Sequence, residues 1–245
     1  MKTLIVIPSR LAATRLPGKP LLKINGLSMI SHVVTIAKKA NIGEVIVATE
    51  DQEIIEDVNK NGGKSILTSN KHKTGTDRIY EAVKKLDRQD IDYVMNLQGD
   101  EPLMNVDDIK NLNNLMINNK LKLGTLASEV KDQSVYQNQS VVKVITKESL
   151  EISKFSEAVS FTRNVNNMTR NIYHHLGIYC YQVDTLKKFV SHKQSKNEII
   201  NKLEQLGALD NNININVVLA KSSPIGVDTK EDFMAIKKIM EYKNK

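Results

Sequence analysis

The chain is poor in cysteine and in aromatic residues. A single Cys, Cys180, among 245 residues excludes a disulfide framework and any multi-cysteine zinc or iron–sulfur site. There is no Trp, and aromatics make up 4%. Basic residues are not interleaved with aromatics and no RRM signature is present, so nucleic-acid binding has no sequence support. No stretch approaches the ~18 consecutive apolar residues of a membrane span. The apolar run at Leu4 to Ile7 is broken by Pro8 and Arg10, too short for the ~7–15 residues of a signal-peptide core. A cytoplasmic protein without membrane insertion is expected. No G-x-S-x-G elbow and no G-x-G-x-x-G fingerprint occur, and Gly18-Lys19 lacks the earlier Gly of a P-loop.

What is present is enough apolar material for a large core and an excess of positive charge. Hydrophobic residues make up 40%, and Lys plus Arg outnumber Asp plus Glu by 35 to 28, for a net +7 and a pI near 9.2. A chain of this length hides roughly 70–75% of its unfolded surface on folding. The charge alone is compatible with nucleic acid, an acidic membrane or a small phosphorylated ligand.

Hydrophobic patterning divides the chain in two. Continuous apolar runs at Thr3 to Ile7, Glu44 to Thr49 and Asp92 to Leu97, with a short one at Lys64 to Leu67, predict buried strands. Helical spacing predicts helices at Ser28 to Ala40, Asp51 to Asn59, Thr76 to Leu86 and Val106 to Asn118. Ser28 is the expected N-cap of the first, and Gly62-Gly63 ends the second. This alternation is that of a Rossmann-like, doubly wound, mostly parallel α/β sheet, which binds ligands at the carboxyl ends of its strands. Beyond Lys120 the pattern changes to longer strands at Lys122 to Val130, Val141 to Thr146, Glu151 to Ser156, Tyr173 to Gln182 and Ile213 to Leu219. Helices are expected at Asp184 to Val190, Asn197 to Leu206 and Thr229 to Tyr242. A single domain follows: residues 1–120 as the parallel-sheet half, 121–228 as a smaller antiparallel or mixed subregion, and 229–245 as a C-terminal helix.

The loop from Pro8 to Leu21 carries the strongest chemical signal. Arg10, Arg15 and Lys19 sit at the ligand edge of the first strand, where Arg forks and a mobile ammonium suit phosphate oxygens. Gly18 permits close backbone approach, and Pro17 and Pro20 stiffen the loop. Gln98-Gly99-Asp100 ends a buried strand, placing an amide and a carboxylate at the same edge. Asp228 precedes the last helix. As residues alone, Asp228-Thr229 reads as an N-cap; with Asp100 it also reads as half of an oxygen-ligand site for Mg2+. His72 reads as an ordinary surface residue and Cys180 as a small buried hydrophobe. His174 and His175 point to opposite faces of a strand, which excludes a zinc pair there.

Six blocks in order, Pro8 to Leu21, His72-Lys73-Thr74-Gly75-Thr76-Asp77-Arg78, Leu97-Gln98-Gly99-Asp100-Glu101-Pro102, His175-Leu176-Gly177-Ile178-Tyr179, Leu203-Glu204-Gln205-Leu206 and Gly226-Val227-Asp228-Thr229-Lys230-Glu231-Asp232, span nearly the whole chain. Together they resemble the 3-deoxy-manno-octulosonate (KDO) cytidylyltransferase family. The resemblance implies a nucleotide-diphospho-sugar transferase fold. It implies transfer of CMP from CTP to KDO, an acidic eight-carbon sugar, for lipopolysaccharide or capsule synthesis, with Mg2+ as cofactor and a homodimer formed by the second half. It implies a CTP site of Arg10, Leu11, Ala12, Arg15, Lys19, Thr74, Gly75, Thr76, Gln98 and Asp100. Arg10, Lys19, Asp100 and Asp228 would be catalytic, with Asp100 and Asp228 on the metal and Thr229 left as the helix cap. Gln98, Arg163, His175, Tyr179, Glu204 and Gln205 would take the sugar. The chain departs from the family pattern at His174, where Arg is usual, at Cys180, where Gly is common, after Arg163, where Ile-Pro is missing, and at Asn201 and Gly207, where Glu and Arg are usual. Another acidic sugar, or a non-catalytic nucleotide-binding relative, are the alternatives.

Overall fold

A computed structural model describes residues 1–12, 15–165 and 170–242. Residues 13–14 of the basic loop, 166–169 of the Asn-rich loop and 243–245 of the expected C-terminal segment lie outside the described residues. The chain runs through β1 (Thr3–Ser9), a 3-10 turn (Lys19–Leu21), β2 (Lys23–Ile24), β3 (Leu27–Ser28), α1 (Met29–Ala40), β4 (Gly43–Thr49), α2 (Gln52–Lys60), β5 (Ser65–Leu67), α3 (Gly75–Leu86), β6 (Tyr93–Asn96) and α4 (Val106–Asn118). It continues through β7 (Leu123–Ser128), α5 (Ser134–Gln137), β8 (Lys143–Thr146), β9 (Phe155–Thr162), β10 (Ile172–Gln182), α6 (Val183–Ser191), α7 (Lys196–Asn201), α8 (Glu204–Asp210), β11 (Asn216–Leu219) and α9 (Lys230–Tyr242). Two compact units result: Met1–Lys110 with Pro224–Lys245, and Asn111–Ser223.

In the first unit, β5, β4, β1 and β6 lie side by side in that order, all parallel. Ile5 pairs with Val45 on one side and Met95 on the other. All three are buried, as apolar side chains of a strand covered on both faces must be; each contributes about 1.5–3 kcal/mol by burial. Helix α1 starts where expected, with Ser28 Oγ accepting from the Ser31 amide at 3.3 Å. It buries Met29, Ile30, Val33, Val34 and Ala37. The hairpin between β2 and β3 turns at Asn25-Gly26, both in positive φ (49° and 80°), which is the strongest short-range hairpin signal in any sequence. Ile24, Met29, Val227 and Ile236 form one apolar cluster with Leu16 and Phe233 packed against it. That cluster fastens the segment before α9 beneath the basic loop.

In the second unit the order is β10, β7, β11, β9, β8, and β8 also pairs with β10, so the pairings close on themselves. Only β11 with β7 is parallel; the rest are antiparallel. Two expectations fail here. Residues 151–154 form a turn and the strand is Phe155–Thr162. Ser149 Oγ accepts from the Glu151 amide at 3.2 Å, the local competition by which Ser favours turns, and Ile152 is left 89% exposed. The helix expected at Asn197 to Leu206 is two helices, because Lys202 takes a left-handed φ of 52° and Leu203 turns inward to be buried.

Candidate active site

The loops after β1, β6 and β5 meet the segment before α9 around a cavity of about 360 Å3 at the carboxyl ends of the parallel strands. The basic loop is closed by the Gly18 amide donating to the Leu11 carbonyl at 3.2 Å. Gly18 sits at φ 67°, which caps the following 3-10 turn and which a side-chain-bearing residue adopts only under strain. The Leu11 amide donates to Asp51 at 2.7 Å. A Cβ at Gly99 would stand 3.1 Å from the Pro8 carbonyl oxygen and 3.2 Å from Ile30 Cδ1, so the turn carrying Gln98 and Asp100 rests on β1 because residue 99 has no side chain.

One ammonium organises the floor. Lys19 Nζ donates to Asp100 Oδ2 at 2.7 Å and to the Val227 carbonyl at 2.6 Å, and lies 3.8 Å from Asp228 Oδ1. Its side chain is 14% exposed. Arg15 Nη2 reaches Asp228 Oδ1 at 3.1 Å. The Val227 amide donates to the Asp100 carbonyl at 2.9 Å, which ties the two acid-bearing segments together by backbone. Two carboxylates more than a hundred residues apart in sequence therefore flank one cation. Thr229 Oγ1 accepts from the Asp232 amide at 3.2 Å, and Asp232 accepts back from Thr229 at 2.8 Å. Thr229 is thus the cap, in a capping-box exchange, and the Asp228 carboxylate is turned to the cations instead.

Arg10, Ala12, Arg15, Lys19, Thr74, Gly75, Gln98, Asp100 and Asp228 all border the cavity. Leu11 and Thr76 do not; Leu11 contributes its backbone to the loop, and Thr76 is buried in the first turn of α3. Thr74 caps α3, accepting from the Asp77 amide at 3.1 Å. Arg78 and His72 also border the cavity, though no role at the site was expected of either. Arg78 is 3% exposed, donating to Thr68 Oγ1 at 2.7 Å and pairing with Glu50. His72, expected as an ordinary surface residue, is largely covered and bonded to Glu81. Burial works to raise the Glu81 pKa, but hydrogen bonds from Lys85, His72 and the Ser69 amide outweigh it and bring it to about 2. Burial, then the charge of Asp100, pushes the Glu101 carboxyl up to about 8. Glu101 Oε2 and Ser9 Oγ are sealed from solvent without a partner.

The residues expected at the sugar lie in the second unit, apart from Gln98. His175 is buried and its Nε2 stands 3.0 Å from Thr125 Oγ1. Thr125 Oγ1 also lies within hydrogen-bond distance of the Ile178 and Leu176 carbonyls, at 2.7 and 3.2 Å. Burial, with a smaller effect of His174, lowers the His175 pKa to about 3. Phe161 meets the ring edge-on at 5.1 Å and Tyr179 lies 5.5 Å away. Burial raises the Tyr179 phenol, with Tyr181 and Glu204 adding to it. Glu204 and Gln205 open α8, with Gln205 buried. A Cβ on Gly207 would meet the Glu198 carboxylate, so a side chain at this departure requires Glu198 to shift. Cys180 is wholly buried, and burial raises its thiol pKa. Arg163 Nη1 donates to the carbonyls of Gln139 and Ser140 at 3.2 and 3.3 Å.

Among the described residues no three His, Cys, Asp or Glu side chains cluster as metal ligands. Asp100 and Asp228 still fit a divalent cation, since their oxygens already flank one positive charge and oxygen-only donors suit a hard ion such as Mg2+ that keeps several waters.

Residues 4–215 match the family model described as Cytidylyltransferase. A 3-deoxy-manno-octulosonate cytidylyltransferase of Thermodesulfovibrio yellowstonii is 41% identical, with 98% of each chain covered. One of Bartonella tribocorum is 40% identical over 98% of this chain and 99% of its own. The solved structure of CMP:2-keto-3-deoxy-manno-octonic acid synthetase complexed with CTP superposes with a TM-score of 0.90, at 34% identity, over 99% of this chain and 100% of that one. A UDP-glucose pyrophosphorylase complexed with UDP-glucose, 17% identical, shares the fold over both full lengths with a TM-score of 0.74.

Proposed function

The chain belongs to the 3-deoxy-manno-octulosonate cytidylyltransferase family, and from that premise we propose how its residues carry out CMP transfer from CTP to KDO. The sugar's anomeric hydroxyl attacks the α-phosphorus in line. An O–P bond forms, the hydroxyl proton is released, and the bond to the β-phosphate breaks to give CMP-KDO and pyrophosphate. No enzyme nucleophile is needed, so the protein's task is positioning and charge stabilisation.

Arg10, Arg15 and Lys19 neutralise the triphosphate and then the departing pyrophosphate. The Thr74-Gly75 end of α3 and Gln98 hold the nucleoside, with Leu11 and Ala12 shaping the loop and Thr76 packing beneath it. Asp100 and Asp228 would hold Mg2+, which would supply Lewis acidity at the phosphoryl oxygen and lower the pKa of the attacking hydroxyl. Arg163, His175, Tyr179, Glu204 and Gln205, together with Gln98, take the sugar. Arg163 is the group suited to its carboxylate, and the neutral His175 serves as a hydrogen-bonding group rather than a cation.

The observation that carries this reading is the single ammonium flanked by Asp100 and Asp228 beside two further arginines at a strand edge. The test is Asp100→Ala and Asp228→Ala. Turnover should be lost while far-UV circular dichroism is retained, and unchanged turnover in either variant overturns the metal assignment. We also infer a cytoplasmic homodimer. The supply of CTP in the cytoplasm supports the compartment, and the exposed apolar side chains Ile152, Val159, Ile199 and Ile200 of the second unit suit a second copy.

A further inference from the structure

Lys143 has no exposed surface. Lysine is almost never fully buried unless paired, because removing an ammonium from water is costly. Its three N–H donors are all used, on the carbonyls of Asn138 at 2.7 Å, Val141 at 2.9 Å and Arg163 at 2.7 Å. None of these acceptors is a carboxylate. Burial, then the charge of Arg163, acts to lower its pKa, yet a neutral amine has only two N–H groups for three carbonyls. The geometry is therefore built for the charged form. On β10 the directly opposed residue is His174, which in turn opposes Ser128 on β7. Burial, then Lys143, lowers the His174 pKa, so the opposed imidazole is held neutral beside the ammonium.

The acceptors form a pattern. Asn138 and Val141 bracket a tight turn, with the Val141 amide donating to the Asn138 carbonyl at 3.1 Å. The two carbonyls between them, of Gln139 and Ser140, receive Arg163 Nη1. The third acceptor of Lys143 is the carbonyl of Arg163 itself. One buried charge thus fixes Arg163 at both ends: directly at its backbone, and through the folded turn at its guanidinium.

We propose that Lys143 is a positioning residue for sugar recognition, locking Arg163 and the 138–141 turn in the conformation that presents the guanidinium to the carboxylate of the acidic substrate. This rests on the assignment of Arg163 to the sugar. An apolar side chain at 143 would deprive the carbonyls of Asn138, Val141 and Arg163 of this donor, and with it the turn that receives the guanidinium.

The test is a double-mutant cycle on the full chain, with pyrophosphate release read against varied KDO and varied CTP. Lys143→Met should raise KM for KDO about tenfold or more, with KM for CTP unchanged, since a mis-set guanidinium loses binding at one substrate only. Lys143→Met combined with Arg163→Ala should be no worse than Arg163→Ala alone, because residues that act as a unit are not additive. An unchanged KM for KDO, an equal rise in both KM values, or full additivity overturns the proposal. If Arg163→Ala leaves KM for KDO unchanged, the assignment of Arg163 fails and the proposal falls with it. If Lys143→Met does not fold, Lys143→Gln, which keeps two N–H donors, is measured in its place. Stabilisation by CTP in a melting experiment reports that its nucleotide site is intact, and a wild-type KM for KDO in that variant likewise overturns the proposal.

Discussion

Replacing Lys19 by Met should make the nucleotide-free enzyme bind Mg2+ more tightly while crippling turnover. The Lys19 ammonium stands 2.7 Å from Asp100 and 3.8 Å from Asp228, so it competes with a metal for both carboxylates. A charge-assisted hydrogen bond contributes about 1.5–3 kcal/mol. Asp100 is 32% and Asp228 49% exposed, so solvent screening places the competition at the low end of that range. About 1.4 kcal/mol corresponds to a tenfold change in affinity. Calorimetric titration of Mg2+ without CTP should therefore show roughly tenfold tighter binding to Lys19→Met. The same substitution removes a positive charge from the triphosphate, and loss of one preorganised group at a developing charge costs about 10²–10³ in kcat. The Val227 carbonyl loses its partner at a cost of about 1 kcal/mol, small enough for the fold to survive. Unchanged or weaker Mg2+ binding would show that the ammonium and the metal do not share the carboxylates, and the reasoning would fail.

Arg78→Met leaves Glu50 unpaired, and breaking a buried pair from one side costs about 3–5 kcal/mol; urea midpoints should report this, and a wild-type midpoint contradicts it. His175 has its pKa lowered to about 3 from an ordinary 6.5, so the unfolded chain takes up its proton first as pH falls. The stability this neutral imidazole contributes is complete above pH 6.5 and drains at about 1.4 kcal/mol per pH unit below it. His175→Gln should flatten that part of the stability–pH curve between pH 6.5 and 5, and an unaltered slope would remove His175 as its source.

The first unit was legible because its signals are local. Strands buried on both faces read as unbroken apolar runs, and Ser28 and Thr229 cap helices through hydrogen bonds to amides three residues on. The hairpin at Asn25-Gly26 carries an equally local signal in its turn residues. The second unit was harder because its decisive features are not periodic. The shift of β9 depends on a turn held by Ser149, and the break at Lys202 depends on burying Leu203. The pairing of β8 with β10 joins segments some thirty residues apart. At the site, sequence found the loops that converge, since their residue types announce a polar ligand. It could not find Arg78 or Lys143, because a charged side chain on a helix or strand reads as solvent-facing until its buried partners are seen. It also could not show that Lys19 sits between Asp100 and Asp228, a contact that only the folded chain creates.

The most direct measurement of the account is pyrophosphate release from CTP and Mg2+ with a panel of acidic sugars that includes KDO, its amino analogue and a sialic acid. Turnover with KDO, at the highest kcat/KM of the panel, is the predicted result. Absence of turnover with KDO while another sugar reacts would contradict the assignment of the substrate, and absence of turnover with every sugar would contradict the enzyme itself.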